Sequence, residues 1–237
     1  MKRLIAIAGT LAVLAGPAAA EQSDLYLRAN VGAAFGTWST ETDLNPGAVN
    51  ASLGPDRIFG STGTGFIFDV GAGYRFAPFL RFEATIGYLP SIQFTGTFSS
   101  STVTARSTVS ALTGLATAYI DFAGLFGPLP GNIQPFVLGG MGFSTIYNGP
   151  EDDFANGAYL NTFSGATTTN LAWTAGAGIG IPLSPSITVD LTYRFLDLGE
   201  RRVGPMLTAP VGPPALLTQD RADMQVHTVM IGLRFAM

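Results

Sequence analysis

The chain has 237 residues, 47% hydrophobic and 12% charged, with no cysteine and a single histidine; the missing cysteines exclude a disulfide scaffold, a thiol nucleophile and a thiolate metal site. Twelve basic residues against 16 acidic ones, with no basic patch, exclude a nucleic-acid-binding surface. A mean hydropathy of +0.34 without an apolar run near 18 residues excludes a membrane-spanning helix and leaves alternating strands as the way to satisfy backbone hydrogen bonds in lipid.

Residues 1–20, MKRLIAIAGTLAVLAGPAAA, combine a basic start at Lys2 and Arg3, a short apolar run from Leu4 to Ala15 and the small residues Ala18 to Ala20. This pattern reads as a cleaved secretory signal peptide. Residues 21–237 then form one unit with 12 − 2 = 10 basic residues, all arginine, against 16 acidic ones, a net charge of −6.

The first strand is expected over 25–35, with Leu25, Leu27, Ala29, Val31, Ala33 and Phe35 on one face and Arg28, Asn30 and Gly32 on the other. The clearest stretch, GFIFDVGAGYRFAPFLRFEATIGYLP over 65–90, states the same period twice. Phe66, Phe68, Val70, Ala72, Tyr74 and Phe76 alternate with Ile67, Asp69, Gly71, Gly73 and Arg75. Ala77, Pro78 and Phe79 turn the chain. Leu80, Phe82, Ala84, Ile86 and Tyr88 then alternate with Arg81, Glu83, Thr85 and Gly87, and the bulky face is expected to continue through Ile92, Phe94 and Phe98. Such a hairpin, with strands of about ten residues and aromatics near both ends, has the signature of a membrane-spanning pair.

A fourth strand lies within 108–122 and offers two rival faces: Leu112, Ala116, Ala118, Ile120 and Phe122, or Val109, Ala111, Leu115 and Tyr119. The fifth, over 135–147, is too rich in glycine for its faces to be assigned. In the sixth, Leu171, Trp173, Ala175, Ala177, Ile179, Ile181 and Leu183 alternate with Thr174, Gly176, Gly178 and Gly180. The seventh sets Ile187, Val189, Leu191, Tyr193 and Phe195 against Thr188, Asp190, Thr192 and Arg194. The eighth sets Val229, Ile231, Leu233 and Phe235 against Met230, Gly232 and Arg234. Short turns at 77–79, 123–133 and 184–186 alternate with long polar loops at 36–64, 91–107, 148–169 and 200–222, as expected when one end faces the periplasm and the other the cell exterior. The fold class predicted is all-β: an eight-stranded antiparallel transmembrane up-and-down barrel.

The sense of the barrel follows from what fills each face. The minor face carries Arg28, Asp69, Arg75, Arg81, Glu83, Asp190, Arg194 and Arg234 among glycine and threonine. Outward on a soluble protein it would be poor in charge; inward, it makes room for arginine–carboxylate pairs. The bulky face is therefore expected in lipid, with Tyr74, Phe76, Tyr193 and Phe195 and, at the outer rim, Tyr88 and Trp173 as aromatic girdles.

GYRF at 73–76, QPFVLGGMGF at 134–143, LTYRFLDLG at 191–199 and HTVMIGLRF at 227–235, in that order, resemble the small outer-membrane barrel family of opacity-type and outer-membrane-protein-A-like proteins, across essentially all of 21–237. The resemblance implies a monomeric barrel inserted by the barrel-assembly machinery, which reads a last strand ending in an aromatic; here that signal is Gly232, Leu233 and Phe235, followed by Ala236 and Met237. It also implies contact with outer-membrane lipid and lipopolysaccharide. A few such barrels modify lipid A with a histidine paired to a serine, but Val229 stands where a His-x-Ser pair based on His227 would place its serine.

The glycine runs at 60–65 and 176–180 lack the lysine or the helix start of a phosphate-binding loop. Glu151, Asp152 and Asp153 read as solvated loop acids, with a divalent cation as the alternative. Arg201, Arg202, Met206 and Leu207 are candidates for loop contacts with an extracellular ligand, and the apolar residues Val211, Leu216 and Leu217 suggest a partner or a fold-back over the mouth. The function expected is structural or surface recognition through the outer loops, without cofactor, metal or catalysis. The alternatives are a narrow pore for small solutes, disfavoured by the small bore of eight strands, and a lipid-A-modifying enzyme.

Overall fold

The computed structural model describes residues 24–38, 41–42, 57–98, 103–208 and 221–237. In chain order its strands are β1 (Leu25–Trp38), β2 (Glu41–Thr42), β3 (Arg57–Thr62), β4 (Thr64–Ala77), β5 (Leu80–Phe98), β6 (Val103–Asp121), β7 (Gln134–Asn148), β8 (Glu151–Ala155), β9 (Ala158–Phe163), β10 (Ala166–Pro182), β11 (Ile187–Arg202), β12 (Met206–Thr208) and β13 (Arg221–Ala236). A single helical turn, α1 (Ala123–Phe126), lies between β6 and β7.

Eight long strands, β1, β4, β5, β6, β7, β10, β11 and β13, pair antiparallel in that order. The ring closes where β1 meets β13, from Tyr26 opposite Ala236 to Trp38 opposite Met224. Closure removes the sheet edges within the ring, which is the condition for a sheet to sit in lipid.

The bulky face points out. Phe66, Phe68, Val70, Phe76, Phe82, Ile86, Leu171, Leu191 and Ile231 are all exposed, while Arg28, Asp69, Arg81, Glu83, Asp190 and Arg234 are buried. A belt of exposed aliphatic and aromatic side chains this extensive is stable against hydrocarbon and unfavourable against water. In β6 the contested register resolves: Val109, Ala111, Leu115 and Tyr119 face inward and Leu112 and Ile120 outward. In β7, Phe136, Leu138 and Ile146 are buried, and Met141, Phe143 and Tyr147 are exposed.

Two bulges reset the alternation. The β5–β6 register shifts between Leu89 and Ile92, at Pro90, which has no N–H for the ladder. Ile92 and Phe94, expected on the lipid face, are consequently buried in the lumen, at 1% and 2% exposure. The β11–β13 register shifts between Asp197 and Glu200, where Gly199 adopts φ 78°, a left-handed conformation that glycine takes without a β-carbon clash. Leu198 and Arg201 thereby both face the lumen.

The connections expected as long loops are largely strand. β5 reaches Phe98 and β6 starts at Val103, so the hairpin grows through most of 91–107. The 148–169 stretch holds the β8–β9 hairpin and the start of β10, and β11 continues to Arg202. These additions extend the wall: β3 pairs with β5, and β2 lies between β3 and β13. On the other side β8 pairs with β6, β9 with β8 and β12 with β9. The expected signal peptide, residues 43–56, and Val211, Leu216 and Leu217 lie outside the described residues.

At the opposite end the connections are tight. Pro78 and Phe79 join β4 to β5, and α1 precedes β7. Between β10 and β11, Ser184 Oγ accepts hydrogen bonds from the backbone N–H of Ser186 (3.3 Å) and Ile187 (3.1 Å).

Candidate functional site: a filled lumen beneath an extended wall

Inward-facing polar residues of six strands meet in one ionic layer. Arg28 on β1 donates through Nε to Asn30 (2.8 Å) and through its Nη atoms to the Tyr119 hydroxyl (2.8 Å) and Thr192 (3.1 Å). Glu83 on β5 lies 3.5 Å from Arg28 and accepts from the Tyr119 hydroxyl at 2.9 Å. Arg81 pairs with Asp121 at 2.9 Å, its guanidinium carbon 4.0 Å from the centre of the Tyr119 ring. Arg194 on β11 pairs with Asp69 on β4, and Arg234 on β13 with Asp190 on β11, both at 3.2 Å. Asn30 also donates to Asp69.

The charges in this layer balance: Arg28, Arg81, Arg194 and Arg234 face Asp69, Glu83, Asp121 and Asp190. Desolvating a charge is expensive, so such a layer holds only when each ion has an opposite charge and donors or acceptors around it. Seven of the eight arginines and carboxylates expected inside are brought together here. Arg75 stands apart, half-buried at the narrow-turn end, and makes no ion pair among the described residues.

Asn30 and Thr192, on the faces expected inward, join the layer, whereas sequence reasoning missed Tyr26, Tyr119 and Asp121 as members. Tyr26 and Asn30 share the parity of Arg28, so their placement was readable. Tyr119 and Asp121 belong to the contested strand. Glycine makes the aromatic insertion feasible, since a β-carbon on Gly73 would lie 2.1 Å from Tyr26 Cζ.

Beyond the ionic layer lies an apolar one, containing Ile67, Leu89, Ile92, Leu115, Leu196 and Met230 among its buried members. An ion crossing it would have to shed its hydration against hydrocarbon. Above the apolar layer Arg201, fully buried, donates to Ser107 (2.9 Å) and Asn148 (2.8 Å), pairs with Glu151 (3.2 Å) and lies 4.7 Å from the Phe94 ring centre. Arg201, expected among the loop contacts with an extracellular ligand, is thus turned into the lumen instead. Arg202 is only half-buried and Leu207 is exposed; Met206 lies in β12.

The acid triplet is split by strand alternation. Glu151 and Asp153 are buried rather than solvated, and Asp152 accepts from Thr162 at 2.6 Å. Among the described residues no group of three candidate ligands forms a metal site. On the outer face, His227 Nδ1 lies 2.7 Å from the Tyr193 hydroxyl, within a cluster that includes Phe195 and Trp173. The hydrogen-bond partner of the ring among the described residues is the Tyr193 hydroxyl rather than a serine or a carboxylate. Of the expected assembly signal, Leu233 and Phe235 point outward and Gly232 inward, where a β-carbon would meet the Asn30 amide.

Comparison with known proteins agrees with this geometry. The chain is 23% identical over 184 residues to a putative adhesin of Rickettsia conorii, covering 73% of this chain and 68% of that protein. Its fold matches OprG of Pseudomonas aeruginosa with a TM-score of 0.58 at 11% identity, covering 91% of this chain and 98% of OprG. It matches Neisserial surface protein A with a TM-score of 0.53 at 16% identity, again over 91% and 98% of the two chains. The family model for the outer membrane protein beta-barrel domain matches residues 5–235, and the chain belongs to that family.

Proposed function

We propose that the protein is a surface-recognition barrel of the outer membrane, whose extended outer wall makes the contacts while the ring serves as a closed anchor. The observation that carries this reading is the contrast between the two halves. The lumen is filled by an ionic layer and an apolar layer, whereas β2, β3, β8, β9 and β12 add strands only at the wide end. The likeness to an adhesin supports the same class of role. In this reading the bulky face meets lipid and lipopolysaccharide, and the tight turns face the periplasm. The barrel is a monomer inserted by the assembly machinery through the Gly232, Leu233 and Phe235 ending, without cofactor or catalysis. Arg202, Leu207 and the β8–β9 tip are the contact candidates.

The test is display on a non-adherent Gram-negative host, with attachment scored on a panel of matrix proteins and sulfated polysaccharides. Cells carrying the protein should attach above vector controls, and replacing residues 154–160 with glycine and serine should abolish attachment while the cold-detergent mobility of the barrel persists. Attachment no better than vector, with folded protein at the surface, overturns the reading.

A further inference from the structure

The narrow-turn end holds a cavity of about 520 Å³, within the range of small-ligand sites. Its lining comes from the strand ends and turns: Asp24, Tyr26, Arg75, Gln134, Thr188 and Arg234 among others. Arg234 forms the inner end. It is 5% exposed and is held by Asp190 through one Nη, while its Nε has no acceptor among the described residues. Arg75, half-buried, contributes a second guanidinium to the wall and makes no ion pair among the described residues. Among the described residues, two guanidiniums and one carboxylate, Asp24, line this space, with the amides of Asn132 and Gln134 and the hydroxyls of Thr188 and Ser186 also on its wall.

We infer that this mouth is a binding site for a carboxylate, specifically the C-terminal carboxylate of a short peptide. Two guanidiniums on the wall of a partly enclosed cavity favour an anion, and their fork geometry suits a planar carboxylate. Neutral amides and hydroxyls alongside provide donors and acceptors for a peptide backbone. The volume exceeds what a single small anion fills, which favours a ligand of a few residues. The site lies at the opposite end of the lumen from the extended wall and does not depend on the wall's recognition role.

The experiment is calorimetric titration of the detergent-solubilised barrel with an alanine tripeptide, the same tripeptide amidated at its C-terminus, and inorganic phosphate. The free-acid peptide is expected to bind, and the amide to bind about tenfold more weakly or not at all. Arg75→Gln should weaken the free peptide by about tenfold, and Asp24→Asn should tighten it by about threefold. Retained cold-detergent mobility shows that each variant is folded. No binding of the free peptide, equal binding of acid and amide, or phosphate binding as tight as the peptide overturns the inference. Attachment by the outer wall is scored separately on cells, so either result stands whatever the other shows.

Discussion

Gly73 and Tyr26 are cross-strand partners whose side-chain space is shared: the ring of Tyr26 occupies the position a β-carbon on Gly73 would need, 2.1 Å from Cζ. The ring is held there by hydrogen bonds between its hydroxyl and Glu83 (3.2 Å) and Arg81 (3.4 Å). Gly73→Val should displace the ring and destabilise the barrel by ~2–3 kcal/mol. Adding Tyr26→Ala to Gly73→Val should lessen the defect relative to the sum of the two single changes. Urea unfolding in detergent micelles, followed by tryptophan fluorescence, measures both.

Removal of one ion from the balanced layer should cost more than removal of a pair. Arg28→Met leaves Glu83 and Tyr119 short of a donor and should cost ~3–5 kcal/mol. The double variant Arg28→Met/Glu83→Gln should be less destabilised than Arg28→Met alone. A double-mutant cycle in lipid-reconstituted barrel, with refolding yield as a second readout, would show the coupling.

The apolar layer makes a quantitative statement about permeation. The native protein in a planar bilayer should show no steady conductance, and Leu196→Ser/Met230→Ser should introduce frequent openings by letting water into the layer. A stable open channel in the unmodified protein would contradict the closed anchor.

Arg201 ties β11 to β6, β7 and β8 above the ring. Arg201→Met should leave the heat-induced mobility shift intact while increasing protease cleavage within residues 151–163 by about tenfold, because opening of the hairpin is a local event. Mass spectrometry of the fragments locates the cut.

His227→Phe should be nearly neutral for stability, within ~0.5 kcal/mol, because the ring lies on the outer face with Tyr193 as its hydrogen-bond partner. Unchanged lipid A in cells expressing either form would agree with an interfacial aromatic.

The membrane-spanning part of the fold was legible because lipid on one side and a crowded lumen on the other impose a strict period of two. The stretch from Gly65 to Tyr88 shows it on both sides of its turn. Legibility failed where the inner face is apolar too: on β6, Leu115 inside and Leu112 outside give no contrast. It failed again at Pro90 and Gly199, where a bulge exchanges the two faces and sends Ile92, Phe94 and Arg201 inward. The wall beyond the ring reads as loop in the sequence because its added strands are short and interrupted by polar residues, and their pairing depends on partners distant in sequence, as with Ile58 and Phe98. The ionic layer could be anticipated in its arginines but not in its aromatic linkers, since tyrosine in a barrel reads first as girdle.

The length of the central hairpin sets how far the sheet stands above the membrane. β5 and β6 each run for 19 residues, about 60 Å along the strand at roughly 3.3 Å per residue. A tilt of about 40° reduces that to about 45 Å of height, against an apolar band of about 25 Å. Some 20 Å of hydrogen-bonded sheet, on the order of the difference, therefore stands clear of the hydrocarbon. In the proposed role a partner would meet a stiff platform held clear of the hydrocarbon, and a pull on its rim would pass through paired strands into the buried ring.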